Sequence, residues 1–248
     1  MVGRVQRQDT RVVNSAGSVR GVRILVTNDD GWDAPGLSAL KALAASLGEV
    51  FVIAPLEPQS YSGHRVTTDA ALHLTETGTN QFSLSGTPAD CVRVALTEIF
   101  PDVDFVLAGI NRGGNLGADL YTSGTVAAAR EAALLGKPAI AISQYIRRSL
   151  VLDWNRSREM AAPVLVSLVN GGMHSRGTYW NVNLPHLEPD AAAEAAHCEP
   201  DNLALDVSYR REGTRLHYSG TYAKRPVTPG RDVDQCFRGS ITISRLQL

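Results

Sequence analysis

The sequence predicts an α/β fold: a doubly wound, mostly parallel sheet with a smaller β-rich C-terminal portion. Three observations carry the prediction. From Gly21 onward, short apolar runs alternate with amphipathic stretches, the pattern of successive βα units. Polar clusters containing glycine follow those runs directly, where the strands of an open sheet end and ligands gather. The chain has 248 residues, 44% of them hydrophobic, enough to bury the core of one large domain over residues 21–248.

The elements follow in order. Val22 to Thr27 (VRILVT) reads as a buried strand. Gly36 to Leu47 reads as a helix with Leu37, Leu40, Ala44 and Leu47 on one face, stopped by Gly48. Val50 to Ala54 is a second strand ending at Pro55. Thr87-Pro88-Ala89-Asp90 supplies an N-cap, a first-position proline and a first-turn acid for a helix whose apolar stripe is Val92, Leu96 and Ile99. Phe105 to Ile110 is a third strand, Thr125 to Leu135 an alanine-rich helix and Ala139 to Ser143 a fourth strand. Beyond Asp153 a helix runs to about Asn170, followed by strand candidates at Thr178 to Val182, Leu203 to Tyr209, Leu216 to Ser219 and Ser240 to Leu246. Residues 171–248 are expected to form a β-rich, self-associating portion. Residues 1–20, with four arginines and one acid, read as a disordered extension.

Charge and cysteine usage narrow the function. Lysine plus arginine number 24 against 25 acids, so no overall field favours a nucleic-acid polymer or an anionic membrane. No run is long enough to span a bilayer. Cys91, Cys198 and Cys236 lack disulfide or zinc spacing and are expected as three free thiols in a reducing cytoplasm.

Within "VTNDDG" the side-by-side carboxylates of Asp29 and Asp30 repel each other unless a proton or cation relieves them. Asn-Asp-Asp-Gly is also turn chemistry, which would explain it without a ligand. Yet three further polar clusters occupy equivalent positions: Pro58 to His64, Asn111 to Asn115, and Ser123-Gly124-Thr125. With Ser60 and Asn111 adding neutral oxygens, the set Asp29, Asp30, Ser60 and Asn111 suits one hard divalent ion, Mg2+ or Mn2+. Ser123-Gly124-Thr125 opens a helix, where amide N–H groups and the partial positive charge suit a phosphate, although a plain N-cap would use the same residues. The glycine-rich stretch Gly109 to Gly117 is neither a Walker loop nor a dinucleotide turn.

The successive motifs "ILVTNDDGWDAPGL", "APLEPQSYSGH", "GTPADCV", "AGINRGGNLG" and "YTSGTVAAARE" resemble the signatures of the SurE family, metal-dependent 5′/3′-nucleotidases, over about Val22 to Ser143. The resemblance implies a three-layer Rossmann-like core, one divalent ion, nucleoside monophosphates as substrates and homodimers or homotetramers. It implies metal ligands at Asp29, Asp30, Ser60 and Asn111, phosphate contacts at Asn115, Ser123, Gly124 and Thr125, and Asp29 and Asp30 as the residues holding the catalytic ion. Leu56 stands where the family usually has aspartate, and Gln59 where it has a basic residue. "YWNVNLP" resembles the family's Asn-Val-Asn strand, while the chain ends at Leu248 without the family's closing helix.

The expected reaction is hydrolysis of nucleoside 5′- and/or 3′-monophosphates. A phosphatase acting on short polyphosphate or another monoester, and a nucleotide-binding relative without turnover, remain as rivals. The ligand and phosphate clusters are expected to separate experimentally, with Gly124→Val striking phosphate alone. Asp119 reads as a cap or structural hydrogen-bonder, Trp32 as packing on the first helix, and His64 as either a substrate contact or a solvated loop residue. His73, His174, His186, His197 and His217 show no ligand spacing and read as structural.

Overall fold

The computed structural model describes residues 11–13, 19–171, 176–205 and 207–248. Arg11–Val13 (β1) and Val19–Gly21 (β2) pair antiparallel; most of the expected N-terminal extension, and His174, lie outside the described residues. Arg23–Thr27 (β3) leads into Pro35–Ala44 (α1), and Glu49–Pro55 (β4) follows. Leu74–Gly78 (β5) and Gln81–Leu84 (β6) form a hairpin that has no counterpart in the expected elements. Its first strand is TETG, largely exposed and without an apolar run, so periodicity had nothing to register.

Pro88–Val94 (α2) begins at Thr87 with the expected reciprocal cap and widens into a π turn over Ala95–Ile99. Phe105–Arg112 (β7), Gly124–Leu134 (α3), Ala139–Gln144 (β8), Trp154–Asn170 (α4) and Thr178–Leu184 (β9) complete the expected core. Then come Ala195–His197 (β10), Tyr209–Glu212 (β11), Arg215–Tyr218 (β12), Asp232–Arg238 (α5) and Ile241–Gln247 (β13). The strand expected from Leu203 begins only at Tyr209; Leu203 and Leu205 are exposed and irregular, and residue 206 lies outside the described residues.

Nine strands form one sheet in the order β10-β13-β9-β8-β7-β3-β4-β6-β5. Its interior pairs are parallel, while β13 joins β9 and β5 joins β6 antiparallel. Alternation splits each central strand between two cores. Ile24, Val26, Ile140 and Ile142 face Leu37, Leu40, Val164 and Leu165 of α1 and α4. Leu25, Val106 and Ala141 face Val92, Val126 and Ala129 of α2 and α3. Each large apolar side chain buried this way contributes roughly 1.5–3 kcal/mol. The five alanines 127–129, 132 and 133 are buried in α3, whose small side chains let it lie close on the sheet.

The chain leaves β3 toward β4 on one side and later returns to place β7 on the other. The loops after β3 and β7 therefore diverge at a switch point, which opens a crevice beyond the carboxyl ends of the strands.

Candidate active site at the switch point

Asp29 and Asp30 leave the end of β3 in different environments. Asp29 is buried, and its Oδ1 accepts a hydrogen bond from Thr125 Oγ1 at 2.5 Å. Burial pushes its carboxyl up from 3.8 to about 6; the Thr125 hydrogen bond opposes that rise and the charge of Asp30 adds to it. Asp30 is half-buried, and its Oδ2 accepts from the Arg112 N–H at 3.0 Å. Burial raises it too, against that N–H. Within the turn, Asn28 Nδ2 donates to Gly31 O at 2.8 Å, so the motif is both a turn and a carboxylate pair.

Asn111 sits at the end of β7, where pairing with β8 shifts register between Ala108 and Asn111. Such an irregularity re-aims the side chains beyond it. Gly109 has φ +135°, and a Cβ there would meet Ile142 O at 2.2 Å, so the sequence must have glycine at this bend. Asn111 Nδ2 donates to Gly113 O at 2.9 Å, which fixes the amide with its nitrogen toward that carbonyl and leaves Oδ1 as an acceptor.

Ser60 lies exposed in the connection between β4 and β5. Its neighbour Gln59 donates from its N–H to Asp29 O at 2.8 Å, which draws this loop to the end of β3. Ser62, which the sequence reading passed over, has a buried hydroxyl with no hydrogen-bond partner among the described residues.

The helix terminus adjoins the carboxylates directly. Ser123 caps α3 by accepting from Val126 N–H at 3.0 Å. The amides of Gly124 and Thr125 belong to the first turn, which has no carbonyl four residues back. A Cβ on Gly124 would stand 2.8 Å from Asp29 Cβ, 3.0 Å from Ser62 Oγ and 3.1 Å from Asp29 Oδ2. Valine at 124 thus intrudes on a carboxylate of the other cluster, which corrects the expectation that the two clusters separate at this position. Thr125 commits both its hydroxyl and its backbone N–H to the Asp29 carboxylate, so it serves the carboxylate pair rather than offering a free amide to an anion.

Asn115 is held from three sides. Its N–H donates to Asn183 Oδ1 at 2.8 Å, its carbonyl accepts from Asn181 and Asn183 Nδ2 at 2.9 and 3.1 Å, and its own Nδ2 donates to Ser143 Oγ at 2.7 Å. The Asn-Val-Asn pattern of β9 therefore serves to fix the glycine-rich loop. Asp119 is a structural tie, accepting from Leu116 N, Tyr222 Oη and Arg225 Nη1 at 3.2, 2.6 and 2.9 Å. Trp32 is 42% exposed and lines an open recess with Leu37 and Lys41 of α1 and Gln81 and Phe82 of β6.

His64 turns away from the crevice. Its Nε2 lies 2.7 Å from Glu131 Oε2, and Nδ1 lies 3.4 Å from Arg130 Nη1. Glu131, buried in α3, also accepts from Arg93 Nε at 2.5 Å. Burial alone would raise its carboxyl, but hydrogen bonds from His64 and Arg93 hold it below the usual range. His64, Arg93 and Glu131 come from three segments, and no local spacing joins them.

The donors fit a hard divalent cation. Two crowded carboxylates gain from a positive charge, and the nearby neutral oxygens of Ser60 and Asn111 are of the right kind. Among the described residues no three His, Cys, Asp or Glu side chains gather as a metal group, so an ion here would depend on those neutral oxygens and on water. No helix among the described residues is long and apolar enough to cross a membrane. The three cysteines are free thiols.

Residues 24–205 match the family described as Survival protein SurE. A relative from Nostoc sp. is 47% identical over 226 residues, 91% of this chain and 99% of its own. The 5′-nucleotidase SurE of Geotalea uraniireducens is 43% identical over 239 residues, 92% and 93% of the two chains. The crystal structure of the SurE protein from Aquifex aeolicus superposes with a TM-score of 0.76 at 30% identity, covering 91% of this chain and 93% of that one. On this agreement of motifs, topology and relatives, the chain belongs to the SurE family of phosphoric monoester hydrolases.

Proposed function

We propose that the protein hydrolyses nucleoside 5′- and/or 3′-monophosphates to nucleoside and phosphate, using one Mg2+ or Mn2+ held by Asp29, Asp30, Ser60 and Asn111. The observation that carries this reading is the close approach of the α3 terminus to the carboxylate pair: Thr125 Oγ1 donates to Asp29 Oδ1, and a Cβ on Gly124 would stand 2.8 Å from Asp29 Cβ. Relatives named 5′-nucleotidase SurE, such as that of Halobacterium salinarum at 40% identity over 197 residues, support nucleotides as the substrate.

When bound, a divalent ion polarises a phosphoryl oxygen and lowers the pKa of a coordinated water. The residues of the chain do the rest. Asp29 and Asp30 supply the negative charge that retains the cation, and Thr125 Oγ1 fixes the orientation of Asp29. The Gly124 amide at the α3 terminus, with Ser123 and Asn115 beside it, receives the phosphoryl oxygens as charge builds on them, while the Thr125 N–H and hydroxyl hold Asp29. Buried Asn181 and Asn183 of β9 hold the backbone of Asn115, and Ser143 of β8 accepts from its side-chain amide, so this loop needs little reorganisation. Exposed Leu203, Leu205, Tyr209, Leu216 and Tyr218 in the C-terminal portion support self-association as a homodimer or homotetramer.

The test is phosphate release from a panel of 5′- and 3′-monophosphates, short polyphosphate and a simple aryl phosphate, with Mg2+, with Mn2+ and with excess chelator. Metal-dependent release, greatest with nucleotides, is expected. Release that persists unchanged in chelator overturns the metal assignment, and preference for polyphosphate overturns the substrate.

A further inference from the structure

We infer that His64 and Glu131 form a clamp that positions the Ser60 hydroxyl, making both positioning residues for the divalent-ion site. The inference rests on the proposed ligand set and identifies what holds the ligand that does not sit at a strand end.

Asp29 and Asp30 follow β3 directly, and Asn111 lies within β7, so all three inherit the rigidity of the sheet. Ser60 has no such support: residues 56–73 contain neither strand nor helix. The loop instead bends sharply, with Tyr61 and Gly63 at φ 59° and 58°, and is held by discrete ties. Gln59 N–H donates to Asp29 O at 2.8 Å and Gly63 N–H to Thr122 O at 3.0 Å. Thr67 donates to Asp90 from its N–H and its Oγ1, both at 2.8 Å. Between these anchors, His64 makes the loop's side-chain tie to the body of α3, through Glu131.

That tie has a geometric consequence. Gly124 and Glu131 are seven residues apart, about two helical turns, and share one stripe of α3. The loop lies along this stripe, with Ser62 Oγ beside Gly124 and His64 against Glu131. The helix that presents its terminus to the phosphate therefore also sets the position of the ligand loop. Both ring nitrogens of His64 are engaged, Nε2 by Glu131 and Nδ1 by the Arg130 guanidinium, so the ring is not offered to substrate. Arg93 from α2 takes the second oxygen of Glu131, which locks the carboxylate in one rotamer. Partners beyond the ligands themselves commonly change metal affinity 10–100-fold.

The experiment titrates Mn2+ and, separately, inorganic phosphate into the full chain by calorimetry, for wild type, His64→Ala, His64→Gln, Glu131→Gln and Asp30→Asn, with thermal melts alongside. His64→Ala is expected to lower Mn2+ affinity about tenfold while phosphate affinity changes little. His64→Gln, which keeps an N–H donor, recovers part of the loss, and Glu131→Gln weakens Mn2+ binding in the same direction. If His64→Ala and Glu131→Gln bind Mn2+ as wild type does, whether or not they melt earlier, while Asp30→Asn does not, the clamp is structural only and the inference is overturned. If Asp30→Asn also binds as wild type, the ligand set itself has failed.

Discussion

The proposed ligands at strand ends and the proposed ligand on the loop are held by different physics. Asp29 and Asn111 are fixed by parallel strands whose neighbours are buried on both faces, and Asp30 additionally accepts a backbone N–H from the adjacent strand. Ser60 stands exposed on an irregular connection and depends on a few ties, one of them a buried carboxylate two turns along α3. The sheet gives the first group its precision through its regular geometry. The loop acquires precision through side chains that lie far apart in sequence, and such precision can be removed one bond at a time.

The largest effect should come from a proposed strand-end ligand. Asp30→Asn keeps the shape and the acceptor for Arg112 N–H but loses the charge that binds a hard cation. Turnover measured at low Mn2+ should fall by more than about a hundredfold, beyond the range for partners outside the ligand set. Full activity at low Mn2+ would remove Asp30 from the ligands and leave the comparison without its rigid half.

Gly124→Ala comes next, because it acts on both clusters at once. The new Cβ meets Asp29 Cβ at 2.8 Å, and that atom is anchored to backbone rather than to a flexible chain end. Overpacking of this kind costs about 1–3 kcal/mol. Calorimetry should show Mn2+ and phosphate both binding more weakly, unlike His64→Ala, which should affect Mn2+ alone. Loss of phosphate binding with Mn2+ binding intact would show that Asp29 yields without consequence and that the two clusters are independent.

The smallest effect is on stability without metal and sharpens the electrostatic side. The carboxyl of Asp29 titrates near 6 in the folded state against 3.8 ordinarily, so the folded state holds the proton more tightly than the unfolded chain does. Its contribution to stability is therefore full below about pH 4 and is lost as pH rises through about 6. In chelator, Asp29→Asn should melt above wild type at about pH 7, by at most about 3 kcal/mol, and the gap should close toward about pH 4. Melting curves across that range provide the check. A gap that is constant with pH would mean that the charge of Asp29 is already neutralised by the protein.

Much of this was legible locally. β3, β4, β7 and β8 are apolar runs, and α2 carries Thr-Pro-Ala-Asp, a cap whose chemistry is complete within four residues. The carboxylate pair and the Ser-Gly-Thr terminus were visible because adjacent like charges and a small residue at a helix start each have a local physical reason. The β5–β6 hairpin was not visible, since an edge pair with one exposed strand needs no apolar pattern.

The sequence by itself thus determined the fold class, the four polar clusters and the oxygen chemistry that suits a hard cation and a phosphate, because these depend on residues adjacent along the chain. Only the tertiary structure decided that Thr125 binds the Asp29 carboxylate, that Gly124 has no room for a Cβ beside Asp29 and Ser62, and that Asn115 is held by Asn181 and Asn183. It alone joined His64, Arg93 and Glu131. Those relations depend on how closely α3, the glycine-rich loop and β9 approach one another, and that approach is set by packing across the sheet rather than by any spacing along the chain.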